Sequence, residues 1–319
     1  MPPNPLISVA APVFCEEELI EQFCARVTAV MIGLKDRYDY EIVLVDDGST
    51  DRSPEVLRVI ARQDPRVRVL FLSRNFGHQS AITAAIDHAR GDGVVVMDSD
   101  LQDPPEMIPE MIEQWEKGVK VVYAVRTRRR GESAFKRTTA RVFYRTISRL
   151  SDVELPQDSG DFRLLDREVV TALCQLREES RYIRGLVAWI GFSQAPVCYE
   201  RDERLAGETK FTFRKMVAFA SDGLTGFTEK PLRISMKLGA ATTLLALTLL
   251  AWIAIERIFA PERVVEGWTS LAIAVLFLGG VQLLSIGILG EYIGKIYREV
   301  KGRPLYVLKQ DDTTDLGDE

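Results

Sequence analysis

The stretch Val94–Glu106, "VVVMDSDLQDPPE", decides the fold. Four apolar residues, Val94 to Met97, run into Asp98 and Asp100 and then into Gln102, Asp103 and two prolines. A continuous apolar run of this length, not an alternating one, suits a strand covered on both faces of a sheet. The carboxylates at its end repel one another unless something positive sits among them. They also stand where open α/β sheets bind ligands, at the carboxyl edge of the strands.

Working outward, the same grammar repeats. Leu6 to Val13 is an apolar run, and "YEIVLVDDGSTD" is a second that ends in Asp46 and Asp47. "VRVLFLS" and "VKVVYAVR" supply two more. Between these runs lie segments with apolar residues at helical spacing: "EEELIEQFCARVTAVMIGL", "DRSPEVLRVIARQ", "GHQSAITAAIDHAR" and "EMIPEMIEQWEKG". Ser53 and Pro54 are expected at the N-cap and first helical position of the second helix. Strand and helix alternate five times in about 125 residues, which predicts an α/β domain with a doubly wound, mostly parallel, Rossmann-like sheet. The acidic pairs Asp46/Asp47 and Asp98/Asp100 are then expected to converge on one crevice.

The chain has 319 residues, 46% hydrophobic and 27% charged, with a net charge of -5. That balance argues against nucleic acid as the main partner. Cys15, Cys24, Cys174 and Cys198 show no metal-binding spacing and read as ordinary thiols of a reducing compartment. The start, "MPPNPLISVAAPVF", lacks the basic region and long apolar core of a signal peptide, so this domain is expected to stay in the cytoplasm.

The second half changes character. From Arg126 to Arg149 basic residues interleave with Phe135, Val142, Phe143 and Tyr144, a pattern suited to a membrane surface, an anion site or a solvated helix face. Between Lys237 and Glu256 lie 18 uncharged residues, and between Glu266 and Glu291 lie 24. Each run can cross a hydrocarbon core of roughly 30 Å. Lys230, Arg233 and Lys237 precede the first run, and Lys295, Arg298, Lys301 and Arg303 follow the second, so both flanks are expected in the cytoplasm. Trp252 and Trp268 are candidate interface anchors. The expected organisation is a catalytic domain over 1–209, interfacial amphipathic helices over 210–235, a two-helix transmembrane hairpin over 236–300 and an acidic tail over 301–319.

Asp98 and Asp100, two apart at a strand end, can both reach one cation, with Gln102 near enough to help. Mg2+ or Mn2+ is usually held by one or two carboxylates while substrate phosphates complete the shell. Capping the following helix would need only one aspartate. The turn after the first strand, "AAPVFCEEE", has no glycine fingerprint for a dinucleotide, and no P-loop or HExxH occurs. His78 and His88 read as structural.

Six blocks occur in order: "APVFCEEE", "LVDDGSTD", "LSRNFGHQSAI", "MDSDLQDPPE", "SGDFRLLDR" and "RLAGETKF". Together they resemble a family 2 glycosyltransferase with the GT-A fold. The similarity is greatest to the polyprenyl-phosphate branch: dolichyl-phosphate mannose synthases, aminoarabinose transferases and above all bactoprenol glucosyltransferases. In "GETKF" the chain departs from the serine and tyrosine more usual around that lysine, while Thr209 keeps a hydroxyl and Phe211 a ring.

The resemblance implies roles. Pro12, Glu16, Asp46, Asp47, Arg74, Asn75, Gly77, Asp98 and Ser99 would bind the nucleotide sugar. Asp98, Asp100 and Gln102 would hold the metal and diphosphate. Asp158, Asp161 and Arg163 would carry the reacting centre. Arg126, Lys136, Arg137, Arg141, Arg204 and Lys210 would grip the lipid phosphate and leaving diphosphate, which need cationic neutralisation in any case.

The implied activity is inverting transfer of a hexose, with UDP-glucose the favoured donor, to undecaprenyl or another polyprenyl phosphate at a bacterial inner membrane. A sibling using GDP-mannose or a UDP-aminoarabinose type of donor is the nearer rival, and a non-catalytic membrane-anchored nucleotide-sugar binder the farther one. A processive polysaccharide synthase would need more membrane helices and a QxxRW block, which the sequence lacks. Two membrane helices bury little by themselves, which leaves room for a homo-oligomer.

Overall fold

The computed structural model describes residues 4–126, 159–179, 181–199, 230–259 and 268–309. Two compact units divide the chain. The first comprises 1–149, 153–215 and 304–319; the second comprises 150–152 and 216–303.

The first unit is built on a seven-stranded sheet of order β3-β2-β1-β4-β6-β5-β7. Its strands are β1 (Leu6–Val13), β2 (Asp39–Asp46), β3 (Val67–Phe71), β4 (Gly93–Val96), β5 (Val121–Arg126), β6 (Ser159–Asp166) and β7 (Gln194–Tyr199). The helices α1 (Ile20–Ile32), α2 (Ser53–Gln63), α3 (His78–His88) and α4 (Ile108–Glu116) alternate with the first five strands. A single 3-10 turn, Pro105–Met107, leads into α4. After β6 come α5 (Arg167–Gln175) and α6 (Ile183–Ile190).

β1, β2, β3 and β4 are mutually parallel, and β1 pairs with β2 over its whole length, from Leu6↔Asp39 to Val13↔Asp46. This half is the doubly wound arrangement expected from the sequence. β6, a strand that sequence analysis did not assign, enters antiparallel between β4 and β5. It carries a buried Asp161 and Arg163 among Phe162, Leu164 and Leu165, so its charged residues mask an otherwise apolar run.

The core explains the pattern. β1, β2 and β4 are buried almost end to end because helices cover both faces. α1 turns Ile20, Phe23, Cys24, Val27 and Met31 inward, one helical stripe. Each large apolar side chain fully buried in this way contributes about 1.5–3 kcal/mol. Ser53 is the first residue of α2 and does not cap it. Its Oγ instead accepts the Glu16 amide at 3.0 Å and so tethers the loop after β1.

The amino edge of the sheet is sealed by paired polar groups. Glu41, buried, accepts from Ser8 Oγ at 2.6 Å, from the Arg90 amide at 2.6 Å and from Arg68 Nη1 at 3.0 Å. A buried charge satisfied on this many sides is tolerated.

The second unit contains two long helices, α7 (Lys230–Phe259) and α8 (Trp268–Val300), which lie against each other. Among the described residues one helical segment, Phe277–Val300, is long and apolar enough to cross a membrane.

Candidate active site

The opposite, carboxyl edge of the sheet is where the acidic residues gather. Parallel neighbours put the ends of β2, β1 and β4 side by side: Val13 pairs with Asp46, and Met97 donates its amide to the Ala10 carbonyl at 3.1 Å. Ser99 Oγ donates to the Pro12 carbonyl at 2.8 Å and locks the loop after β4 onto β1.

Asp46 and Asp47 are both buried at the end of β2. Asp46 accepts the Ser49 amide at 3.2 Å. Asp47 accepts the amides of Phe76 at 2.7 Å and Gly77 at 3.0 Å, which ties the loop after β3 to β2. Burial pushes both carboxyls up, against the pull of those amides. Gly48 makes this contact possible. Its φ is +69°, and a Cβ there would stand 2.6 Å from the Arg74 carbonyl carbon and 2.6 Å from the Asn75 nitrogen. Arg74 and Asn75 are exposed. The Arg74 guanidinium lies 3.9 Å from the Phe76 ring centroid, a flat cationic surface beside the crevice. Glu16 is half-buried in the loop after β1.

Among the described residues, the non-glycine residues with positive φ are Cys15 (54°) and Leu101 (59°). They sit in the loops after β1 and β4, the two that flank this crevice. Strain of this kind costs of order 1–3 kcal/mol and persists only where the surroundings over-determine it. Leu101 is held by its own buried side chain and by the Gln102 amide, which donates to Asp100 Oδ1 at 3.1 Å. Asp103, buried one turn further on, receives the Tyr199 hydroxyl from the end of β7.

Asp98 and Asp161 face each other across His78. His78 Nε2, on the first residue of α3, lies 3.5 Å from Asp98 Oδ1 and 3.5 Å from Asp161 Oδ2. Gln79 Nε2 donates to Asp161 Oδ2 at 3.5 Å, and Arg184 Nε on α6 donates to Asp161 Oδ1 at 3.0 Å. Gln79 also accepts the Ile183 amide at 3.0 Å, joining α6 to α3. Burial pushes the Asp161 carboxyl up, but Arg184, His78 and Arg163 overturn that and hold it well below the usual carboxylate range. Burial likewise works against a charged His78, and Asp161 and Asp98 reverse it, so the imidazole binds its proton more tightly than usual. Asp98 goes the other way. Burial pushes its carboxyl up to about 6, although His78 pulls it down.

Asp98 Oδ1 is enclosed and accepts no hydrogen bond; its cationic neighbour is His78 Nε2, at 3.5 Å. A buried carboxylate oxygen that accepts no hydrogen bond costs free energy, and a cation bound closer than His78 would offset it. Among the described residues no group of three or more carboxylate, histidine or cysteine donors gathers to hold a metal. Two carboxylates with an orphaned oxygen nevertheless fit a hard divalent ion whose remaining ligands come from substrate phosphates.

The sequence-derived residues divide accordingly. Pro12 and Asp46 lie at the ends of β1 and β2, and Glu16, Asp47, Arg74, Asn75, Gly77, Asp98, Ser99, Asp100 and Gln102 lie on the loops that follow the strands at the same edge of the sheet. Asp161 joins them through His78. Arg163 is buried and donates Nη2 to the Gly160 carbonyl at 2.8 Å, so it braces β6 from within. Burial lowers its pKa to about 10, opposed by Asp161. Arg126 ends β5, with only its backbone described. Asp158, Lys136, Arg137, Arg141, Arg204 and Lys210 lie outside the described residues. His78 and Arg184 are the site residues that sequence reading missed. His78 was visible in "NFGHQS", at the start of a helix that follows a strand, a position that aims a side chain into the crevice.

A mixed α/β sheet with acidic residues gathered at its carboxyl edge is a frame of the GT-A type. The chain belongs to glycosyltransferase family 2, whose model matches residues 8–173. A second family model, "GtrB C-terminal hairpin", matches residues 230–296. Among curated relatives, an uncharacterized glycosyltransferase, YkcC, of Bacillus subtilis is 46% identical over 95% of this chain and 93% of its own length. A prophage-derived bactoprenol glucosyl transferase of Shigella flexneri is 41% identical over 95% of this chain and 97% of its own. Among solved structures, a mannosyltransferase of Pyrobaculum calidifontis in complex with GDP-Man and Mn2+ is 17% identical, covers 89% of this chain and 88% of that one, and has a TM-score of 0.45.

Proposed function

We propose that this glycosyltransferase moves glucose from UDP-glucose to a polyprenyl phosphate, undecaprenyl phosphate in a bacterial membrane, with inversion at the anomeric carbon. The observation that carries the reading is the bridge Asp98–His78–Asp161, which joins the aspartate pair of the donor side to the "SGDFR" block. Its support in sequence is 41% identity, over 95% of this chain, to a bactoprenol glucosyl transferase.

In this reading the nucleotide lies along the loops after β1, β2 and β3, with Asp46 and Asp47 fixing loop shape and Arg74 offering its guanidinium face. Mg2+ or Mn2+ held by Asp98, Asp100 and Gln102 would neutralise charge on the departing diphosphate. The acceptor phosphate is already anionic near neutral pH, because a phosphomonoester loses its second proton near pH ~6. Asp158 therefore serves to position the acceptor and hold the sugar, and a strong general base is not strictly needed. The cations Arg126, Lys136, Arg137, Arg141, Arg204 and Lys210 grip the two phosphorylated substrates.

α7 and α8 form a transmembrane hairpin with the catalytic unit and both ends in the cytoplasm, and the basic aromatic segments before α7 rest on the inner leaflet. A long polyprenyl chain stays in the bilayer, so a site kept at its surface meets only the phosphate end. The test is partition of labelled glucose into the organic phase when the full chain is given UDP-glucose and undecaprenyl phosphate. Label that remains aqueous with every nucleotide sugar offered refutes the reading.

A further inference from the structure

After α8 the chain reads "GRPLYVLK", Gly302 to Lys309. Gly302 has φ +56°, the left-handed residue that ends a helix, and Pro304 cannot resume it. The next residues pair with the free edge of β3. Leu308 forms an antiparallel bridge with Leu72. The Ser73 amide donates to the Val307 carbonyl at 2.8 Å, and the Lys309 amide donates to the Phe71 carbonyl at 2.7 Å.

The same segment also reaches the far end of α3. Tyr306 Oη donates to Asp87 Oδ2 at 2.9 Å, and Arg177 Nη1 donates to the same oxygen at 2.7 Å. The Tyr306 ring stands edge-on to His88, with centroids 6.3 Å apart. Six residues thus hold both ends of one unit: the end of β3 and the end of α3. Between those ends lie Arg74 to Gly77, whose amides at 76 and 77 bond Asp47, and His78, which meets Asp98 and Asp161.

We propose that Pro304–Lys309 is a positioning strap that fixes the loop Ser73–Gly77 and thereby sets donor affinity. An unpaired edge strand frays readily, and a frayed β3 end frees the loop that follows it. Holding that loop in its bound form removes part of the ordering entropy that the donor would otherwise have to overcome. The effect falls on donor binding more than on the chemical step, because the strap bonds the strand edge and the far end of α3. The affinity claim rests on the reading of residues 74–77 as part of the donor site.

The experiment uses the full chain in lipid nanodiscs and three variants. Lys309→Pro removes the amide that donates to Phe71, Tyr306→Phe removes only the hydroxyl on Asp87, and Lys309→Ala keeps the amide as a control. Hydrogen exchange is measured without substrate, UDP affinity by titration, and turnover separately. The expected result is roughly three- to ten-fold faster exchange at Ser73–Gly77 in Lys309→Pro and Tyr306→Phe, the size set by losing about one net hydrogen bond. UDP binds more weakly by a similar factor, kcat stays within about two-fold, and Lys309→Ala behaves as wild type. Unchanged exchange at Phe76 and Gly77 in Lys309→Pro overturns the proposal. So does a rise spread evenly over the whole sheet, which would mark the segment as general support. If wild type binds no UDP while exchange responds as expected, the donor reading falls and takes the affinity claim with it, and the mechanical claim stands on exchange alone.

Discussion

His78 Nε2 lies 3.5 Å from Asp161 Oδ2, so the first residue of α3 meets the antiparallel strand β6 inside the crevice. The same nitrogen is 3.5 Å from Asp98 Oδ1. One imidazole therefore stands between two carboxylates of opposite character, one held ionised by Arg184 and its neighbours and one pushed toward its protonated form by burial. His78→Ala is expected to lower kcat by about 10- to 100-fold, the cost of removing a charged hydrogen-bond partner, while UDP binding stays within a few fold. Steady-state kinetics with separate donor titration decides it, and a wild-type kcat would remove His78 from the active centre.

Asp98 makes a prediction with a definite sign. Its folded carboxyl is raised to about 6, above its ordinary value, so the penalty for ionising it is absent near pH 4 and fully present above about pH 7. In metal-free protein, Asp98→Asn should melt higher than wild type at pH 8 and no higher at pH 4. Saturating Mn2+ at pH 8 should raise the wild-type melting temperature and leave Asp98→Asn unmoved, since a ligand that binds only the folded state stabilises it by mass action. A melting temperature indifferent to Mg2+ and Mn2+ in wild type would count against the metal.

Gly48 has a backbone that an alanine cannot share. At φ +69° with the Arg74 and Asn75 backbone 2.6 Å from the would-be Cβ, Gly48→Ala should destabilise by about 1–3 kcal/mol and weaken donor binding together. Thermal melting and UDP titration on the same sample check it; a neutral substitution would mean the β2 and β3 loops are not packed as described.

How much of this was legible in the sequence follows from local physics. β1 to β4 and the helices between them announce themselves because strands buried on both faces are mostly apolar, with Ser8, Glu41 and Arg68 as polar exceptions within them that pair with one another. β6 does not, because Asp161 and Arg163 break "SGDFRLLD" with charges: the partners of Asp161 come from α3 and α6, and Arg163 donates to the Gly160 carbonyl within β6. Asp98 and Asp100 could be read as a pair from their spacing. The His78–Asp161 contact could not, since it joins residues distant in sequence through an antiparallel insertion. "PLYVLK" reads as part of the tail because nothing in six residues after an apolar helix says that an edge strand is waiting for them.

The hairpin reading predicts sidedness. A cysteine replacing Pro261, between α7 and α8, should react with an impermeant maleimide added to intact cells, while one replacing Gln310 should react only after lysis. The positive residues that flank the two helices motivate this orientation. The reverse pattern would put the catalytic unit on the wrong side of the membrane for a cytoplasmic nucleotide sugar.

The central claim is transfer of a sugar to a polyprenyl phosphate by the centre that contains Asp98. The most direct measurement offers the purified full chain undecaprenyl phosphate with UDP-glucose, GDP-mannose and a UDP-aminoarabinose type of donor in turn, and analyses the extracted lipids by mass spectrometry. The predicted result is a single new lipid, undecaprenyl phosphate plus one hexose, from UDP-glucose with a divalent ion present and from none of these donors in Asp98→Asn. Product formed equally by Asp98→Asn, or no glycosylated lipid from any donor with wild type, would contradict the account.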